Sequence, residues 1–333
     1  TRTISARPST SCAGSASHSK TDISGRVATR PHGSRSIMHA TPDRFRLQGP
    51  LYGALLVLTA ELCFVLATVL AKHASLAESI PGIQMSFVRF ASGFIVAGLV
   101  LLRTTHRFKP QFPRWVFLRA ASNTLAVLLF FAALDTTTVT TANLLNMTYP
   151  AFVLLFAPWI NREATRPLHY FLLVLALAGS ALVLRPDLGG LTPGDLLGLT
   201  SGLVAGFAIP CLREARKHDS VWTIVFWLFG VGMLVNGIFL VPVFVMPRSL
   251  PVILSLAGGG ILGVLGQVML TTGYRHISAA GGAIVSSSRI LLAAILGIAL
   301  FAESLTLSLV AGGLLILAAL VGAAWPGKRA QVE

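Results

Sequence analysis

From residue 51 to residue 325 the chain alternates long apolar runs with short polar interruptions. A helix rising 1.5 Å per residue needs about 20 apolar residues to cross a ~30 Å hydrocarbon core. The pattern predicts ten such helices, over 51–71, 83–102, 115–134, 141–160, 168–185, 194–212, 222–242, 253–273, 280–300 and 305–325. The expected fold is therefore an all-α integral membrane protein. Residues 1–43 break the pattern, with nine Ser, six Thr, six Lys or Arg and two Asp. Such a segment cannot bury enough surface to fold, and it reads as a disordered tail. Its Arg-rich, Ser-rich, acid-poor composition also fits an organellar transit peptide. The preferred reading is a start at Met38, leaving "MHATPDRFRLQGP" as a short cytoplasmic lead. Residues 326–333 form a short cytoplasmic tail.

Composition agrees with the pattern: 54% of the residues are hydrophobic and 11% charged, where a soluble domain carries about 25% charged residues. The formal charge of +14 lies between the apolar runs and not on a patch, so the expected partner is the lipid bilayer and not nucleic acid. Orientation follows from the basic residues, which concentrate on the cytoplasmic side. Arg44, Arg46, Arg103, Arg107, Lys109, Arg114, Arg119, Arg162, Arg166, Arg213, Arg216, Lys217, Arg275, Lys328 and Arg329 fall on one side, and Lys72, Arg185 and Arg248 on the other. Both termini are expected in the cytoplasm, with the protein in the cytoplasmic membrane.

Motifs for enzymatic chemistry are not found. Cys12, Cys63 and Cys211 are far apart, which indicates neither a disulfide framework nor a metal site. "GGGILG" (258–263) fits GxGxxG, but it lies inside an apolar span with no strand before it. No cofactor and no metal are expected.

The chain also matches itself. A shift of 140 residues sets Glu163 on Glu303, Leu175 on Leu315 and Ala178 on Ala318; a second match, at 145, sets "AKHAS" (71–75) on "RKHDS" (216–220) and Gly53 on Gly198. The first five helices thus correspond to the last five. Five is odd, so the second copy enters from the opposite side, giving two inverted repeats, 51–185 and 194–325, as in many secondary transporters.

Four stretches carry a resemblance to a known family: "YPAFVLLFAPWINREAT" with Pro150 and Glu163, "SRILLAAILGIALFAESLT" ending near Glu303, "FVRF" in the second helix, and "LGQVMLTTGYRHISAA" between the eighth and ninth. In their order and spacing the chain resembles the drug/metabolite transporter superfamily and its EamA-domain members. That resemblance implies two inverted five-helix halves moving small metabolites. One departure is Ile290, which stands where Pro150 of the first half predicts a proline.

Charge in mid-membrane is costly, about 2.5 to 3.5 kcal/mol on insertion scales, and marks a cavity or a partner. Glu61, Arg89 and Arg289 qualify. Arg89 lies nearer the interface, where a long side chain can also snorkel or pair with Glu61. Under the 140 shift Asn146–Tyr149 falls on Ser286–Arg289, a polar patch at one depth in each half. The candidate solute site is Glu61, Arg89, Asn146, Tyr149, Trp227, Ser286, Ser287 and Arg289, with Tyr149 and Trp227 offering rings to stack on or simply packing. Two arginines against one glutamate favour an anionic group such as a carboxylate. The alternative is a proton-coupled exporter of cationic drugs working through Glu61; a membrane enzyme or scaffold is a lesser one. The partners expected are a small-molecule solute and a coupling proton or ion, with the protein as monomer or homodimer. Asn123 and Gln267 read as interhelical bonding, Glu163 and Glu303 as helix caps, and Gly198, Gly202, Gly206, Gly259 and Gly263 as close helix contacts.

Overall fold

A computed structural model describes residues 49–104, 107–133, 139–184, 192–301 and 306–324. The tails, Arg185 and Glu303 lie outside the described residues. Among the described residues the regular elements are helices: α1 (Pro50–Glu78), α2 (Gly82–Arg103), α3 (Pro113–Ala133), α4 (Val139–Asn146), α5 (Tyr149–Asn161), α6 (Pro167–Leu184), α7 (Pro193–His218), α8 (Val221–Leu240), α9 (Leu250–Gly273), α10 (Ala279–Ser286), α11 (Ser288–Phe301) and α12 (Leu307–Ala324), with a 3₁₀ turn at Val241–Val243. Eight spans are long and apolar enough to cross a membrane, counting the broken pair α4 and α5 as one and α10 and α11 as another. Two shorter apolar helices, Pro167–Val183 and Leu307–Ala323, take the positions expected for the fifth and tenth.

Each half thus runs in the same order: three long helices, one broken helix and one shorter helix. The break in the first half has a local cause, since Pro150 has no amide hydrogen and its ring clashes with the carbonyl four residues back. The second half breaks at the same register, after Ser286, although Ile290 replaces the proline. There "AAGGAIVSSS" offers two glycines and three serines, all poorer helix formers than alanine. The 140 shift holds across α5 and α11 and across α6 and α12. It holds also for the ends of α1 and α7, at Glu78 and His218. That corrects the 145 match: "AKHAS" lies inside α1, whereas "RKHDS" straddles the end of α7.

The two halves cross-pack with approximate twofold symmetry. α1 lies on α9 as α7 lies on α3, and α2 meets α9 as α8 meets α3; α2 with α8, and α6 with α12, pair with their own counterparts. On α2 and α8 the pairing is reciprocal, for a Cβ at Gly93 would overlap the Phe229 ring and one at Gly232 would overlap the Phe90 ring. Gly98 against Phe226 and Gly237 against Phe87 repeat the exchange. Two acidic clamps follow the same symmetry. Glu78, closing α1, accepts bonds from the backbone amides of Arg248 and Ser249 at 2.8 and 2.7 Å, just ahead of α9. Asp219, closing α7, accepts from Gln111 and Phe112 at 2.7 and 3.3 Å, just ahead of α3. A carboxylate beside a helix N-terminus complements the orphan amides and the dipole there.

These equivalent clamps sit at opposite ends of the bundle. Gly53 near the start of α1 touches Gly273 at the end of α9, and Leu70 further along touches Gly258 near its start, so the two helices are antiparallel. Arg213 in the last turns of α7 bonds the carbonyls of Tyr274 and Arg275, just past α9. The end of α7 therefore lies with the start of α1, and the second half is inverted relative to the first. Outward-facing apolar side chains such as Trp159, Leu155, Phe171, Val174, Leu234 and Ile238 are exposed on the perimeter, as a lipid-facing surface requires.

Candidate functional site

A cavity of about 510 Å³ lies between the halves, lined by α1, α2, α3, α4 and α5 from the first and by α7, α9, α10 and α11 from the second. It runs from mid-bundle toward the α1–α2 turn, where Ala71, Gly82, Phe131 and Leu256 border it. Among the described residues its lining reaches the opposite end only as far as Arg119 and Leu270. There the largest apolar core packs Ala54 and Val57 of α1, Val116 of α3, Leu212 and Ala215 of α7, and Tyr274 and Ile277 beyond α9.

Six of the eight predicted site residues line this cavity: Glu61, Arg89, Asn146, Tyr149, Ser286 and Arg289. Arg289 Nε donates to Glu61 Oε2 at 2.6 Å, and the Glu61 side chain is 1% exposed against 33% for Arg289. The partner of Glu61 is thus Arg289 of the other half and not Arg89. Both guanidiniums rest against one ring: Arg89 Cζ is 4.7 Å and Arg289 Cζ 5.1 Å from the Phe64 centroid, distances at which a cation is attracted to a ring face. Arg89 reaches the cavity across Gly263, where a Cβ would come within 2.7 Å of its Cγ and Cδ. Its Nε is buried without a hydrogen-bond partner. Gly263 therefore makes room for a charged side chain and not for a helix backbone. Gly198, Gly202 and Gly206 do serve close contact, bringing α7 against Leu145, Thr148 and Phe152 around the α4–α5 break.

Asn146 closes α4 and donates from Nδ2 to Ser201 Oγ at 2.6 Å; Ser201 donates in turn to the Ala126 carbonyl at 2.9 Å. The break in the first half is pinned to α7 and α3 by this chain of bonds. Two predicted residues lie elsewhere. Trp227 gives its indole hydrogen to the Phe108 carbonyl at 2.9 Å and packs on Phe117, so it belongs to the α3–α8 contact. Ser287 is buried at the α10–α11 break, where its amide bonds back to the Ile284 carbonyl.

Three lining residues, Arg119, Asn123 and Gln267, lie outside the set expected from the sequence. Arg119, counted with the cytoplasmic loop, is 3% exposed and borders the cavity. Its Nε has no hydrogen-bond partner. Asn123, one turn on, joins it, so residues 119, 123, 126, 127 and 130 form one helical face toward the cavity. Gln267 also lines it, bonding along its own helix to Thr271 at 3.3 Å. The i, i+4 placement of Arg119 and Asn123 was the signal available. Three arginines and one glutamate then give the cavity a formal excess of two positive charges.

The opposite end is closed by polar bonds between halves. Arg213 Nε donates to Glu163 Oε1 at 3.0 Å, and the Ala279 amide, first of α10, donates to Glu163 Oε2 at 2.9 Å. Glu163 does cap a helix, but one in the other half. His276 stacks edge-on against Tyr52 at 5.1 Å between centroids. Burial first, and then Arg275, Arg216 and Arg213, push its imidazole below the ordinary histidine range.

Comparison with known proteins completes the picture. A model of the EamA-like transporter family matches residues 51–185 and 192–325. The pseudopaline exporter CntI of Pseudomonas aeruginosa is 26% identical over 270 residues, 81% of this chain and 94% of that protein. A riboflavin transporter of Vibrio cholerae is 25% identical, over 68% of this chain and 76% of its own. A crystal structure 19% identical in sequence shares the fold, with a TM-score of 0.69 over 81% of this chain and 96% of that one. Two tandem matches, one for each inverted half around a charged cavity, leave one assignment: the chain belongs to the EamA-like transporter family of the drug/metabolite transporter superfamily and is a multi-pass membrane transporter of small molecules.

Proposed function

We propose that this transporter carries small carboxylate-bearing solutes, amino acids or organic acids, by secondary transport across the cytoplasmic membrane. The observation that carries the reading is the charge of the cavity: Arg89, Arg119 and Arg289 against Glu61 alone. Guanidinium is the side chain best shaped to hold a carboxylate, which it meets with two parallel hydrogen bonds. A solute anion entering here meets fixed positive charge in a low-dielectric space, where the attraction exceeds that in water.

The competing reading, proton-coupled export of cations through Glu61, has less support. The Glu61 carboxylate is 1% exposed and already holds a guanidinium at 2.6 Å, leaving a cationic solute to face the remaining arginines. The named solutes of the two relatives differ from one another, so the choice of solute class rests on the cavity.

Transport requires the cavity to face each side in turn. Arg103, Arg107, Arg114, Arg162, Arg166, Arg213, Arg216, Lys217 and Arg275 gather near the closed end, against Lys72 and Arg248 at the other. The positive-inside rule supports a cytoplasmic closed end and cytoplasmic termini. The conformation described is then open to the outside, and the Glu163–Arg213 contact is the bond that opening inward must break. No ATPase motif is present in the sequence, which supports a proton, ion or solute gradient as the source of energy.

Flux measurement on the full chain in liposomes tests the reading. Uptake of a labelled carboxylate, competed by other carboxylates and not by tetraethylammonium, is the expected result. Tetraethylammonium flux that Glu61→Gln abolishes, with no carboxylate flux, overturns it.

A further inference from the structure

The charge excess has a distribution as well as a size. The Glu61–Arg289 pair is internally neutral. Nε of Arg119 and Nε of Arg89 are both buried without a hydrogen-bond partner, and Arg89 rests on the Phe64 ring. Burying an unpaired charge is costly enough that such groups are normally paired. With three guanidiniums and one carboxylate lining it, the cavity is short of two negative charges.

Their placement says how far apart those charges lie. Arg119 is the seventh residue of α3, which begins at the closed end, so its Cα stands about 9 Å from that end. Arg89 is the eighth residue of α2, which begins at the open end, about 10 Å from it. Both helices are roughly 31 to 33 Å long, at 1.5 Å per residue over 21 and 22 residues. The two arginines thus enter the cavity from opposite ends, one at its floor and one toward its mouth. A solute with an anionic group at each end can meet both.

We infer, building on the carboxylate reading above, that the preferred solute is an elongated dicarboxylate, held at its inner end by Arg119 with Asn123 and at its outer end by Arg89. The Phe64 ring lies at the outer end, 4.7 Å from Arg89 Cζ. Each carboxylate replaces the hydrogen-bond acceptor that its arginine lacks, so the loaded site is close to neutral.

Thermal unfolding of the purified full chain with succinate, glutarate, butyrate and glycerol 3-phosphate tests the inference, because a ligand of the native state raises its stability with the logarithm of its affinity. The expected result is that a dicarboxylate binds at least about tenfold tighter than butyrate, about 1.4 kcal/mol or more. Arg119→Gln and Arg89→Gln each bring that ratio toward one. Arg119→Lys, which keeps the charge, retains part of the preference and separates recognition from a folding defect; the unliganded melting temperature of each variant checks the same point. Equal affinities for butyrate and the dicarboxylates overturn the inference while leaving the carboxylate reading in place. So does a dicarboxylate preference unmoved by either Gln substitution, or tight binding of glycerol 3-phosphate alone. Binding of none of the four, with stabilisation by tetraethylammonium, overturns both.

Discussion

Glu61 of α1 and Arg289 of α11 stand 228 residues apart in the chain and share a 2.6 Å bond across the boundary between the halves. The contact ties the first helix of one repeat to the broken helix of the other, beside the cavity. Its strength depends on asymmetry of burial: the carboxylate is closed in, and the guanidinium keeps a third of its surface toward the cavity.

Removing the carboxylate strands the cation. Glu61→Gln is expected to cost about 3 kcal/mol or somewhat less, the low end for a broken buried pair, since Arg289 retains access to the cavity. Adding Arg289→Gln is expected to recover about 1 kcal/mol, because contacting charges couple by about 0.5 to 3 kcal/mol. Thermal unfolding in detergent measures both, and strictly additive losses would contradict the pairing.

Gly93 and Phe229 set the spacing of α2 and α8. Gly93→Ala drives a Cβ into the face of the ring and is expected to destabilise by about 1 to 3 kcal/mol, as overpacking does. Phe229→Leu in the same chain relieves the overlap, so the double variant is expected to be more stable than Gly93→Ala alone.

Glu163 holds the closed end through Arg213 and the first amide of α10. Glu163→Gln keeps the shape and removes the charge, with an expected loss of about 1.5 to 3 kcal/mol for a bond to a charged group. Cys211, buried two residues before Arg213, reports on the same region. In a chain with Cys12 and Cys63 replaced by serine, maleimide labelling of Cys211 is expected to quicken in the Glu163→Gln variant; an unchanged rate argues against a lock here.

Gly263 gives Arg89 its route into the cavity. Gly263→Ala displaces the arginine stem, whose nearest atoms lie 2.7 to 2.9 Å from the new Cβ. Because a long side chain moves easily, the expected stability change is under about 1 kcal/mol. The solute KM is expected to rise, measured by initial flux in liposomes. A stability loss with KM unaltered would make Gly263 a packing residue only.

Much of the cavity lining is legible in the sequence. Mid-span charge singled out Glu61, Arg89 and Arg289, and the 140 shift matched Asn146–Tyr149 to Ser286–Arg289; all the named charges reach the cavity. A sharper internal signature is also present: "FVRFASGFIVAG" (87–98) and "FWLFGVGMLVNG" (226–237) share Phe, Phe, Gly, Val and Gly at a shift of 139. Its phenylalanines and glycines are the residues that interlock α2 and α8. Arg119 counts by sequence with the cytoplasmic basic residues, and only the fold turns it toward the cavity. Trp227 lies outside the cavity lining, and an indole in an apolar helix looks the same whether it meets a solute or, as here, a backbone carbonyl.

The chain alone determined that it spans a membrane repeatedly and that its two halves are copies with opposite entry. Both follow from run length, charge and an odd number of helices per copy, which are properties of a line of residues. The tertiary structure alone decided which arginine neutralises Glu61, that Arg119 faces inward, and that Glu163 caps a helix of the other repeat. Those choices are made between segments more than a hundred residues apart. They depend on helix rotation and on Gly–Phe interlocking, and neither is encoded within a single span.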